Sequence, residues 1–156
     1  MTEQITDHTV IGLSNATLEA LPDGVSTPSY DRSKLTPGIV HIGLGNFHRA
    51  HQAWYLHRLM QCGLAHNWAI IGAGVRHCDA IMRQRLLKQD CLTTLVELDP
   101  DSASVEVIGS MIDFVEVHPE NGPLILAMSN PQIRIVSLTV TEGGYYQSEA
   151  GDVDVT

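Results

Sequence analysis

Five stretches of the chain are apolar at strand-like length, and helix-patterned segments or a turn separate them. Residues 39–42, Ile-Val-His-Ile, form a short buried run. From 47 to 62, Phe47, Ala50 and Trp54, together with Ala53, Leu56 and Met60, recur at helical spacing, and Gly63 is a suitable stop. The run 68–75 reads as a second buried strand, after which Asp79 is placed to cap a helix over 80–89. Residues 91–98 and 104–110 flank Asp99-Pro100-Asp101, a turn signal that pairs them as a hairpin. A short helix over 123–128 precedes 133–140, a β-branched run apolar on both faces, as a central parallel strand requires. Residues 1–36 hold Pro22, Pro28 and little periodicity, and predict a loop-rich lead-in with one short helix over 16–21.

Strands alternating with helices at this spacing predict an α/β fold, an open, mostly parallel sheet with flanking helices of Rossmann type. The expected organisation is a lead-in over 1–36 and a dinucleotide-binding domain over 37–156. In such sheets a ligand lies at the carboxyl ends of the strands. The loops 43–49, 74–79 and 139–145 then meet on one rim.

The first of these loops carries the most chemistry. Gly43-Leu44-Gly45 follows the first strand and opens the first helix, the arrangement in which bare backbone approaches a diphosphate at a helix N-terminus. His48 stands where the G-x-G-x-x-G pattern has its third glycine, which implies a displaced helix or a side chain turned into the site. An ordinary strand-to-helix turn is the competing reading of the same residues. Asn46, Phe47 and His48 sit on the turn, and Asn46 and His48 are polar groups suited to diphosphate or ribose. Arg49 lies in the first helical turn, as a phosphate ligand or as a surface charge in equal measure. Thr139, Thr141 and Glu142 end the last strand, beside the expected nicotinamide ribose or carboxamide. Where an acidic residue ordinarily holds the adenosine 2′-hydroxyl, the chain has Gly74-Val75-Arg76-His77 with Asp79 following. Arg76 suits a 2′-phosphate and Asp79 a 2′-hydroxyl, so NAD and NADP both stay open.

Bulk properties remove other classes. The chain has 156 residues, 44% hydrophobic and 17% charged, which is the range of one globular domain. A net charge of −9 with two lysines argues against a nucleic-acid surface. No apolar run reaches membrane-span length, and the polar start is unlike a signal peptide, so a cytoplasmic protein is expected. Cys62, Cys78 and Cys91 are widely spaced and read as reduced thiols. His48, His51 and His57 share part of a helical face, but no Asp, Glu or Cys completes a ligand set, and no metal is expected. A methyltransferase with a similar sheet would carry an acidic residue where Ile42 precedes Gly43.

The block 38–55, GIVHIGLGNFHRAHQAWY, closely resembles the opening of the mannitol dehydrogenase family of polyol-specific long-chain dehydrogenases and reductases. Residues 86–97 (LLKQDCLTTLVE), 135–145 (IVSLTVTEGGY) and the upstream 28–32 agree with it. The resemblance implies hydride transfer between a nicotinamide cofactor, NAD with NADP open, and the secondary alcohol of a sugar alcohol or sugar acid, without a metal. A mannitol–fructose enzyme is the expected type; a fructuronate reductase-like member is the alternative. It also implies that the catalytic lysine, asparagine and histidine belong to a mainly helical C-terminal domain. Neither Lys34 nor Lys88 lies in such a motif, so a fragment lacking that domain is expected. A truncated protein that binds nucleotide and catalyses nothing is the reading from a different class.

Overall fold

A computed structural model describes residues 10–140. After a 3₁₀ turn at Asn15–Ala20 come β1 (Val25–Ser26) and a second 3₁₀ turn at Arg32–Lys34. Then follow β2 (Pro37–Ile42), α1 (Asn46–Ala50), α2 (Gln52–Gln61), β3 (Ala69–Ala73) and α3 (Asp79–Lys88). The order closes with β4 (Thr93–Asp99), β5 (Ser102–Ile108), β6 (Met111–Phe114), α4 (Gly122–Met128) and β7 (Ile135–Leu138).

Four strands form a parallel sheet in the order β6-β3-β2-β7. Neighbouring residues of β2 point to opposite faces, as a strand dictates. Ile39 joins Ala53, Leu56 and Met60 of α2 and Leu86 of α3 on one face, while Val40 joins Leu124 of α4 on the other. Helices thus cover both faces, which is why β2 reads as an unbroken apolar run. Gly63, at φ +76°, ends α2: its N–H donates to Met60 O at 2.9 Å and that of Leu64 to Leu59 O at 3.0 Å, a Schellman close.

The expected hairpin is present. β4 and β5 pair antiparallel from Thr93↔Ile108 to Asp99↔Ser102, with Pro100 and Asp101 as the turn. It forms a second sheet, because β1 of the lead-in adds to β5 in parallel. The lead-in is therefore anchored more firmly than its composition suggests. Arg32 donates to Gly109 O at 2.9 Å, Met111 O at 2.6 Å and Asp90 O at 2.7 Å, and the Tyr30 hydroxyl lies 2.7 Å from Nδ1 of buried His57. Trp54 Nε1 donates to Glu106 at 2.7 Å and so ties the hairpin to α2.

Three expectations need correcting, and one strand was not expected. The helix over 47–62 is two helices, because His51 leaves helical geometry (φ −121°, ψ −85°) and its ring turns back to Phe47, with Nδ1 2.9 Å from Phe47 O. Asp79 is the first residue of α3 rather than its cap. The strand β6 had no forecast; it is four residues long and directly follows the hairpin. Finally, β7 pairs only with β2 among the described residues, so it lies at the edge of the described sheet. Its apolar pattern has no cover there: Val136 is 49% and Leu138 60% exposed. The isolated chain is accordingly expected to bind a hydrophobic dye and to self-associate, as exposed apolar patches do. A dye-silent, monodisperse monomer on a sizing column would refute this.

Candidate functional site: the glycine turn at the strand ends

At the carboxyl end of β2 the backbone has no room for side chains on one side and ample room on the other. Gly43 adopts φ +93°, which L side chains rarely tolerate. Its N–H donates to Ala73 O at 3.0 Å, and a Cβ there would stand 3.1 Å from Thr139 O. The turn is thus wedged between the ends of β3 and β7. Gly45 differs: its φ of −69° suits any residue, and a Cβ built on it would meet nothing within 4 Å. No packing among the described residues requires glycine at 45. The missing side chain leaves open space in front of the first amides of α1, which have no upstream carbonyl to bond.

That space belongs to a cleft of about 180 Å³. Gly43, Leu44, Gly45 and Ala73 form one wall, and Arg76, Asp79, Met82, Phe114 and Thr139 the others. Asp79 reaches back over Gly74, where a Cβ would collide with the aspartate side chain. Its Oδ2 accepts from the N–H groups of Val75 at 3.1 Å and Arg76 at 2.9 Å, and Oδ1 pairs with the Arg76 guanidinium at 3.2 Å. Partial burial pushes the Asp79 carboxyl up, but the Arg76 backbone and side chain and the Val75 amide outweigh it, so its pKa lies below the ordinary value. Arg76 itself is 76% exposed.

Of the residues singled out from sequence, Gly43, Gly45, Asp79 and Thr139 converge on this cleft. Asn46 and Arg49 line a neighbouring hollow of about 250 Å³ with Thr93 and Thr94 of β4. There Arg49 Nη2 donates to Asn46 Oδ1 at 2.5 Å, and Arg49 Nε is buried with no partner among the described residues. Phe47 is 65% exposed and stacks on His51. Thr141 and Glu142 lie outside the described residues.

His48 does not face the cleft, contrary to the expectation of a polar group reaching diphosphate. It is 1% exposed and stacks on His41 with ring centroids 3.8 Å apart. The imidazole fills the gap between helix and strand that a third glycine would have closed. Burial foremost, then the neighbouring His41 and Arg49, lowers its pKa to about 3. An unfolded histidine titrates near 6.5, so the unfolded chain binds more protons between these values. Stability present above about pH 6.5 is therefore lost as pH falls toward 3. Burial lowers His41 and His57 too, and adds to the same acid limb. A single group contributes at most about 1.4 kcal/mol per pH unit. Urea unfolding of His48→Phe at several pH values should show a flatter acid limb than wild type; parallel curves would contradict the assignment.

The sequence reading missed Leu44, Met82 and Phe114. Met82 lies one helical turn beyond Asp79, a spacing visible in the sequence. Phe114 lies on the strand that had no forecast. A larger cavity, about 670 Å³, is elsewhere, between the lead-in and α3, lined by Asn15, Tyr30, Arg32 and Asp90 among others. Arg32 there commits four of its five N–H donors to backbone carbonyls and Asn15, which leaves little of its guanidinium for an anion. Among the described residues no group of three or more His, Cys, Asp or Glu is arranged to hold a metal ion, and no helix is long and apolar enough to cross a membrane. All three cysteines are free.

A parallel sheet in this order, with a glycine turn after β2 and an acidic residue folded over the end of β3, is a Rossmann-type domain. The mannitol dehydrogenase Rossmann domain matches residues 37–153, and the chain belongs to the mannitol dehydrogenase family. A mannitol 2-dehydrogenase of Cereibacter sphaeroides is 59% identical over 132 residues, which cover 85% of this chain and 28% of that protein. A polyol:NADP oxidoreductase of Gluconobacter oxydans is 39% identical over 140 residues, 88% of this chain and 28% of the relative. Among solved structures, the Pseudomonas fluorescens mannitol 2-dehydrogenase ternary complex with NAD and D-mannitol superposes with a TM-score of 0.81 at 43% identity. That match covers 90% of this chain and 29% of the other. The chain thus spans less than a third of the length of these relatives.

Proposed function

We propose that this chain is the NAD-binding portion of a polyol dehydrogenase acting on D-mannitol and D-fructose or a closely related sugar alcohol or sugar acid. The observation that carries the reading is Gly45, whose absent side chain serves no contact among the described residues and opens the helix start to a diphosphate. The residues present fit the cofactor. Gly43 shapes the turn from which Gly45 and Asn46 would offer backbone to the diphosphate, Asp79 Oδ1 has a lone pair for the adenosine 2′-hydroxyl, and Thr139 would serve the nicotinamide side. NAD, when bound, accepts the hydride from the carbinol carbon. The Pseudomonas fluorescens complex with NAD and D-mannitol supports this choice of cofactor and substrate. A carboxylate at the 2′ position favours NAD over NADP, although the Gluconobacter oxydans relative is an NADP enzyme and Arg76 stands close by.

Alcohol oxidation also requires a base within reach of the hydroxyl. Neither lysine lines the cleft: Lys34 pairs with Asp31 and Lys88 ends α3. Family membership implies that the base comes from a C-terminal catalytic domain, the partner the exposed strand β7 would meet. By itself the chain binds nucleotide without turnover. Free thiols suit the cytoplasm, where we place it. Calorimetric titration with NAD, followed by a search for NADH formed from D-mannitol, tests both halves. Binding without NADH is expected; no binding refutes the cofactor reading, and turnover refutes the missing base.

A further inference from the structure

We infer that His41 is a positioning residue that fixes the Thr139 hydroxyl as a hydrogen-bond donor toward an acceptor oxygen of the dinucleotide. The inference rests on the dinucleotide reading above and adds to it a buried relay behind the cleft. His41, on β2, is buried between two hydroxyls of the β7 segment: Nδ1 lies 2.8 Å from Ser137 Oγ and Nε2 3.0 Å from Thr139 Oγ1. A neutral imidazole donates through one nitrogen and accepts through the other, so the two hydroxyls play opposite roles.

Gln52 sets the direction. Its Nε2 donates to Ser137 Oγ at 3.4 Å. The Ser137 hydrogen then has one acceptor in reach among the described residues, His41 Nδ1. The reverse arrangement leaves that hydrogen no acceptor among the described residues, so it must turn to solvent from a half-buried position, the less favourable choice. With Nδ1 accepting, Nε2 carries the proton and donates to Thr139 Oγ1. Thr139 accepts from His41 behind it and so keeps its own O–H to donate. Thr139 lines the cleft beside Gly43 and Gly45, so that donor meets the ligand.

His48 completes the device. Its ring lies parallel to that of His41 within 12°, and neither of its nitrogens has a partner among the described residues. It works by shape, as a plate that keeps His41 in the plane of its two hydroxyls. This accounts for an aromatic ring where a diphosphate turn usually has its third glycine.

The test combines a spectroscopic readout with affinity. Nitrogen-15 NMR of histidine side chains in the full chain should show His41 protonated at Nε2 and bare at Nδ1, and Ser137→Ala should erase that bias. Thr139→Val and His41→Leu should each weaken NADH binding by roughly tenfold. The double variant should be no weaker than either single variant, and His41→Gln, which keeps a donor near Thr139, should restore part of the loss. An Nδ1-protonated His41 overturns the inference whether or not His41→Leu folds. Loss in Thr139→Val with none in a folded His41→Leu overturns it equally. If the wild-type chain does not bind NADH, the dinucleotide reading itself fails and the role of Thr139 with it.

Discussion

Valine at position 45 is expected to abolish dinucleotide binding and leave the fold untouched. Gly45 has ordinary backbone angles, and a Cβ added there meets no atom of the described residues within 4 Å, so the fold has room for the substitution. The valine side chain would occupy the space in which the diphosphate meets the first amides of α1. Loss of that approach should weaken NAD binding by at least about a hundredfold, or roughly 2.7 kcal/mol. Gly43→Val should behave in the opposite way. Its positive φ and the Thr139 carbonyl at 3.1 Å make the substitution a folding defect, on the order of 1–3 kcal/mol. Thermal unfolding and NADH fluorescence titration of both variants separate the two roles. A Gly45→Val protein that binds as wild type would remove the diphosphate from this turn.

A second large effect is expected at Asp79. The carboxylate faces the cleft and neutralises Arg76, so it favours a 2′-hydroxyl and opposes a 2′-phosphate. Asp79→Asn keeps the shape and an acceptor for the Val75 and Arg76 amides. It removes the charge and frees the Arg76 guanidinium. NAD binding should weaken by roughly tenfold while NADP binding improves, a swing in preference on the order of a hundredfold. Adding Arg76→Ala should cancel the NADP gain; an unchanged ratio in Asp79→Asn would place the adenosine ribose elsewhere. The same carboxylate links binding to stability. Its pKa is lowered in the folded protein, so it stabilises the fold above the unfolded value and ceases to as pH falls through the folded one.

What the sequence made legible was local chemistry. The glycine turn, the Gly63 stop and the Pro100-Asp101 hairpin each depend on a few adjacent residues, and each stands where those residues put it. The parallel sheet followed from alternation of strands and helices. The break at His51 was not legible, because apolar spacing runs through it and a ring turned back onto Phe47 leaves no periodic trace. Nor was the burial of His48, since a histidine beside a glycine turn looks like a ligand until His41, seven positions earlier, is seen beneath it. The edge position of β7 depends on what covers it rather than on its own residues. Arg49 and Asp79 show the same limit: their types were noticed, but only the fold separates a hollow beside β4 from the cleft itself.

The most direct test of the account is to map amide chemical-shift changes in the labelled chain as NAD is added. Shifts should concentrate at Gly43, Gly45, Asn46, Val75 and Arg76, and D-mannitol alone should leave these amides unmoved. Shifts confined to Asn15, Arg32 and Asp90 around the larger cavity, or none at all, would contradict it.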